Sequence, residues 1–344
     1  MQRLTSMTKF ATRRDYSLDT IKALATICVV FVHASNLYGY SNSESLLINQ
    51  IYGFFGKFAA LGVPLFFVVS GYLASMQYQP GFVWYKENLK KKTKTLAVPY
   101  LTWILVYFVL QRIVLGAGDW NDMGSILYDL FGVPFVWSPI YAPLWFVRDL
   151  YLLTILLPLI KKIIQAFAPP LIICTLLWLF LEPSVFYEFR SCLWYFLGIL
   201  IQSNNARLER VCFEVDEHLT VVVLGEGILL ILSILWSEFW LQQAVITVGV
   251  VLVWLFFRSP QGREKRILGW MRRWIFPASF SVFVLHGKIL LLMQIVWAKC
   301  FGAWDMFLLT GYFLLPALTI IICIVIDTLL RKTPVYIFLT GNRT

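Results

Sequence analysis

Residues 16–40 read YSLDTIKALATICVVFVHASNLYGY. From Asp19 to Tyr40 this run supplies the roughly 20 mostly apolar residues that a bilayer-crossing helix needs, with Lys22 near one end and His33 towards the other. Ahead of it stand Arg3, Lys9, Arg13 and Arg14, and no small-residue cleavage site follows. The segment therefore reads as a retained first span rather than a secretory signal. The remaining chain repeats the pattern. Apolar runs lie near 51–76, 96–115, 144–165, 170–186, 190–202, 219–237, 239–257, 276–299 and 306–330. The fifth and sixth of these ten spans are short, as tilted or re-entrant helices are.

Composition agrees. The 344 residues are 59% hydrophobic and only 14% charged, against about 25% charged in an ordinary soluble domain. A soluble globular enzyme, a disordered chain and a collagen-like chain are excluded. The fold class expected is all-α: a polytopic transmembrane bundle of about ten helices, forming one membrane-embedded domain over 1–344. Residues 1–18 and 331–344 are its tails.

The net charge of +10 suggests nucleic acid in a soluble protein. Here its distribution points to the positive-inside rule instead, and no nucleic-acid partner is expected. With the N-terminus inside, the inner segments hold 22 of the 29 basic residues, among them Lys86, Lys90, Lys91, Lys92, Lys94, Arg272 and Arg273. The outer ends hold four: Arg112, Arg148, Arg190 and Lys299. Both termini are thus expected in the cytoplasm, in a multi-pass protein of the cell (inner) membrane. The six cysteines are scattered with no CxxC pair, which is neither a disulfide framework nor a zinc site, and no metal is expected.

Two loops stand out. Residues 77–95, QYQPGFVWYKENLKKKTKT, read either as a membrane-surface helix with snorkelling lysines or as a site for the phosphates of a nucleotide-like ligand. The outer loop 116–143 combines Gly116, Gly118, Asp119, Asn121, Asp122 and Gly124 with Trp137, Pro139 and Tyr141. Such a mixture suits a sugar and suits the membrane interface equally.

Ionisable groups inside spans are costly and mark function. Lys57, Lys288 and Asp327 sit near span ends, from which they can reach water. Glu226, between Gly225 and Gly227, is either a packing carboxylate or a cavity group. His33 is the sharpest candidate. It follows Lys22 by 11 residues, almost three whole turns, so both share a stripe about 16 Å apart along the axis. Asp19, three residues before Lys22, can pair with it. An imidazole at that depth suits proton transfer or covalent acyl transfer. His286, followed by Gly287, lies about ten residues into the ninth span. Arg148, beside Asp149 at the outer entry of the fourth, can hold a carbonyl, carboxylate or phosphate, or pair with an acid. No Walker, Rossmann, HExxH or GxSxG motif occurs in a fitting context.

The segment YSLDTIKALATICVVFVHAS resembles the first helix of the acyltransferase-3 family of membrane acyltransferases, whose pattern of Asp, Arg or Lys, and His is matched by Asp19, Lys22 and His33. GVPLFFVVSGYL (62–73), APLWFVRDLYLLTILLPLI (142–160) and SFSVFVLHGKIL (279–290) resemble further motifs of that family, in the same order. The resemblance implies transfer of an acyl group, usually acetyl, from cytoplasmic acyl-CoA to a hydroxyl of an extracytoplasmic glycan or lipid-linked sugar. By the same resemblance His33 is the catalytic residue and Lys22 takes the place of the usual arginine. From their positions Arg148 is expected to orient the carbonyl or acceptor, His286 to be a second polar member of the cavity, and Lys22 with Asp19 to serve the donor end. Lysine in place of the usual arginine gives up bidentate phosphate contact. The rival class is a transporter or flippase relaying protons through buried His, Arg and Glu; the internal repeat common in transporters is not seen.

Overall fold

The computed structural model describes residues 15–34, 45–114, 116, 123–132, 138–180, 190–205, 224–234, 239–258, 267–302 and 304–341. Among these residues every regular element is a helix. In chain order they are α1 (Tyr16–Ala34), α2 (Leu46–Ala59), α3 (Gly62–Gln77), α4 (Phe82–Lys92), α5 (Val98–Phe108), α6 (Met123–Phe131), α7 (Trp145–Phe180) and α8 (Arg190–Ser203). There follow α9 (Leu224–Ile234), then α10 (Phe239–Arg258), α11 (Phe276–Phe301), α12 (Asp305–Leu330) and α13 (Tyr336–Thr340).

Seven helical segments among the described residues are long and apolar enough to cross a bilayer: Tyr16–Ala34, Leu47–Gln77, Phe82–Val114, Ala142–Phe167, Leu241–Arg258, Met271–Phe301 and Asp305–Leu330. They correspond to seven of the ten expected spans. The sixth and seventh expected spans appear as the shorter α8 and α9. The fifth continues α7 past a break at Phe167 (φ −132°, ψ 26°). Pro169 and Pro170 follow that break, and a proline ring clashes with the carbonyl four residues earlier. Positions 181–186 of the fifth expected span lie outside the described residues, as do Gly118, Asp119, Asn121, Asp122 and Trp137 of the outer loop. So do 1–14, 206–223 and 259–266, with many of the basic residues counted above.

The basic stretch 77–95 is not a separate surface helix. α4 runs into α5 through a π-helical turn at Thr93–Ala97, so its lysines extend the end of the third span. A second π-helical turn, Met271–Ile275, leads into α11. Each turn ends just ahead of a proline, Pro99 or Pro277. Proline offers no N–H to the regular ladder, and one extra residue per turn lets the backbone absorb the gap.

α1 is the central helix, packed against α2, α3, α10, α11 and α12. Its two threonine hydroxyls in the buried stretch are satisfied within the helix: Thr20 and Thr26 donate to the carbonyls of Tyr16 and Lys22, both at 2.9 Å. That removes the cost of carrying hydroxyls through an apolar bundle. α3 and α8 meet backbone to backbone. A Cβ built on Gly71 falls 2.0 Å from the Tyr195 carbonyl oxygen, and one on Gly198 falls 2.1 Å from that of Val68. Only glycine admits this approach, which gives dispersion contact where lipid supplies no hydrophobic drive.

Candidate active site

α1 carries His33 and α11 carries His286, and the packing of these two helices sets the imidazoles together, ring centroids 5.0 Å apart. His286 is completely buried, whereas His33 is half-buried. The His286 Nδ1 lies 3.0 Å from the Val282 carbonyl oxygen and 2.7 Å from that of Phe283. Carbonyl oxygens only accept, so Nδ1 holds the proton and donates it back into the helix. Its Nε2 makes no hydrogen bond among the described residues.

Away from the histidine pair lies a cavity of about 490 Å³. One end is basic: Lys22 of α1, Lys92 at the end of α4, and Arg331 just past α12 line it. The other walls are mostly apolar, with Phe66, Phe146 and Phe283 among them. Phe146 packs on Phe66 and on Phe283, centroids 5.6 and 5.4 Å apart, and Phe283 stands 6.3 Å from the His286 ring. The histidines do not line the cavity; one phenylalanine ring separates His286 from it. The wall also carries the hydroxyl residues Ser70 and Thr154.

Arg331 is held in place. Its Nε donates to Asp327 Oδ2 at 2.7 Å and its terminal nitrogen to the Pro277 carbonyl at 2.9 Å. The other Asp327 oxygen accepts from Ser281 at 2.5 Å and from the Tyr336 hydroxyl at 3.2 Å. Burial first, then the Asp327 charge, push the Tyr336 hydroxyl up, which keeps it a donor. Asp327 is therefore not the water-reaching carboxylate expected from its place near a span end: it is 2% exposed. A carboxylate can stay buried when its lone pairs are met by several donors and a guanidinium. The tail beyond it closes on the third span. The Leu339 carbonyl accepts from Trp103 at 2.9 Å, and Gly341 (φ +69°) rests against the backbone of Lys94 and Thr95.

The structure thus brings His33 and His286 together and sets Lys22 in the basic mouth; Asp19 stands one turn from Lys22 on α1. Arg148 is engaged elsewhere. Its Nε donates to Asp149 at 2.7 Å and its Nη1 to the Phe131 carbonyl at 2.8 Å, so it ties α7 to the end of α6. Lys57, expected to snorkel, donates to the Ser233 carbonyl and hydroxyl near the end of α9. Lys288 places its ammonium 5.9 Å from the rings of both Tyr107 and Tyr141, turned into the bundle. Those rings stack at 3.9 Å, and the Tyr141 hydroxyl sits where a Cβ on Gly287 would be 2.9 Å away. The neighbour that Gly287 admits is therefore the Tyr141 side chain. Among the described residues no three His, Cys, Asp or Glu side chains come together as a metal would require.

Sequence reasoning noticed the lysine run but not Lys92 in particular, and it missed Arg331 and the phenylalanine wall. Arg331 had a signal: it follows Asp327 by four residues, the spacing of a helical ion pair. The phenylalanines had none, because apolar side chains in an apolar helix look alike whether they face lipid or a cavity.

Comparison with known proteins agrees with this architecture. The profile of a family described as "Acyltransferase domain" (Acyl_transf_3) matches residues 15–328. The Succinoglycan biosynthesis protein ExoH of Rhizobium meliloti (strain 1021) is 24% identical over 315 residues, which cover 83% of this chain and 80% of that protein. No solved structure matches.

Proposed function

The chain belongs to the acyltransferase-3 family of integral membrane acyltransferases, and on that premise we propose that it O-acylates a polysaccharide or its lipid-linked precursor, drawing the acyl group, acetyl in the first instance, from cytoplasmic acyl-CoA. The observation that carries the reading is the cavity with a cationic mouth and an aromatic floor that ends one ring from the histidine pair. Lys22, Lys92 and Arg331 suit the phosphates of coenzyme A, and the apolar walls suit its thinner arm and acyl group. The acceptor class draws on similarity to a protein named for succinoglycan biosynthesis. The bilayer is the setting for all of it, in the inner membrane, with the basic end of the bundle facing the cytoplasm.

In this reading the acceptor hydroxyl attacks the thioester carbonyl. His33 takes the hydroxyl proton as the new C–O bond forms. The C–S bond then breaks, and the departing thiolate takes the proton from His33, so ester and free thiol leave a neutral enzyme. A positioned base of this kind contributes about 10²–10⁴ in rate. Arg148, buried beside Asp149, holds the loop end near α6 rather than the reacting carbonyl.

The test is the acyl content of surface polysaccharide from cells carrying the wild-type chain or His33→Gln, with protein levels matched in the membrane. Glutamine keeps a hydrogen bond but cannot shuttle the proton. Loss of acyl groups is expected; unchanged acylation overturns the proposal.

A further inference from the structure

Two imidazoles in contact raise a question that one alone does not: which nitrogens carry protons. His286 answers for itself. Its Nδ1–H is committed to the carbonyls of Val282 and Phe283, so in the neutral ring Nε2 is a bare lone pair, fully buried and without a hydrogen bond among the described residues. A buried acceptor left unmet is costly. The ring that stands against it is His33, at a centroid separation of 5.0 Å. The two rings touch without a hydrogen bond between them, and a turn of the half-buried His33 ring is enough to bring one of its nitrogens to hydrogen-bond distance of that Nε2.

Resting on the proposed acyl transfer through His33, we infer that His286 is a positioning residue. When the His33 ring turns its N–H onto that Nε2, the bond fixes the tautomer in which the other nitrogen of His33 is bare and free to take the acceptor proton. Two lone pairs cannot face each other, so the proton of His33 must lie on the side of His286. His286 thereby does with a neutral acceptor what a carboxylate does for histidine in a hydrolytic triad. A neutral partner suits this depth, since a carboxylate would have to be carried into an apolar bundle at high cost. His286 is not itself the base: it is completely buried, whereas His33 is only half-buried.

The experiment reads tautomers directly. The chain has three histidines, His33, His218 and His286, so single substitutions assign every imidazole signal. Full-length protein labelled with 15N and 13C at histidine, in lipid bilayers at neutral pH, is measured by solid-state NMR. His286 is expected to carry its proton on Nδ1 alone and His33 to populate a single tautomer. In His286→Leu, His33 should become a mixture of both tautomers. Acetyl-CoA turnover in membranes containing the native acceptor should then lose at least about ten-fold in kcat, out of the 10²–10⁴ a positioned base supplies, with donor KM unchanged. His286→Gln, whose amide oxygen can accept in place of Nε2, should regain much of the loss. A proton on His286 Nε2 in the wild-type chain overturns the inference, as does a His33 tautomer unaffected in His286→Leu. The NMR result does not depend on acyl transfer: if wild-type membranes transfer no acyl group while the tautomers behave as described, the proposed reaction fails and the pairing stands.

Discussion

Asp327 accepts the Nε–H of Arg331 at 2.7 Å, one turn farther along the chain, and in doing so presents a guanidinium to the mouth of the cavity. The same carboxylate also holds Ser281 of α11 and Tyr336 of α13, so three parts of the fold converge on one side chain. Breaking a buried pair by removing one partner is costly because the other charge is left behind.

Arg331→Ala should therefore weaken donor binding, because a hydrogen bond to a charged group contributes about 1.5–3 kcal/mol, or roughly ten- to hundred-fold. Asp327→Asn should do the same while leaving Arg331 in the chain, since the guanidinium loses its anchor. Isothermal titration of the purified protein with coenzyme A measures both. Wild-type affinity in Arg331→Ala would remove that residue from the donor site.

Lys22 separates charge from geometry. Lys22→Ala should lower coenzyme A affinity by a similar factor, and Lys22→Arg should retain most of it, because the cation survives and gains a fork suited to phosphate. Equal affinity in wild type and Lys22→Ala would leave the mouth to Lys92 and Arg331.

Orientation follows from charge. In a chain freed of its six cysteines, a single cysteine at Lys90 or Arg272 should resist a membrane-impermeant maleimide applied to intact cells, and one at Gly124 should react. External labelling at position 90 would turn the map over.

Helix contact makes a stability prediction. Gly198→Ala places a methyl where the Val68 carbonyl oxygen is 2.1 Å away, so α3 and α8 must separate. Overpacking of this kind costs about 1–3 kcal/mol or more, and the thermal midpoint in detergent should fall by several degrees. Gly53→Ala meets nothing within 4 Å and should be neutral or slightly stabilising, as alanine is the better helix former. Equal midpoints for both variants would contradict the tight contact.

Much of the fold was legible because membrane helices announce themselves by run length, and α1 could be placed with its Lys22–His33 stripe from helical geometry alone. The histidine pair was legible only as two separate candidates. Nothing in sequence says that residue 33 and residue 286 touch, because that depends on which faces of α1 and α11 meet. Asp327 was misjudged for a physical reason. Distance from a span end predicts reach to water only when the surroundings are open, and here Ser281, Tyr336 and Arg331 close over it. The fifth span was hard to read because Pro169 and Pro170 break α7 where its hydropathy continues.

The close approach of α3 and α8, at Gly71 against Tyr195 and at Gly198 against Val68, bears on motion as well as on stability. With backbones touching, α3 and α8 cannot shift past one another without breaking that fit, and between them they supply Phe66, Ser70, Leu73, Ala74 and Tyr195 to the cavity. That side behaves as a single rigid panel. Any widening that admits a bulky donor, or lets a spent one depart, is then expected from the side where α11 begins at a π-helical turn.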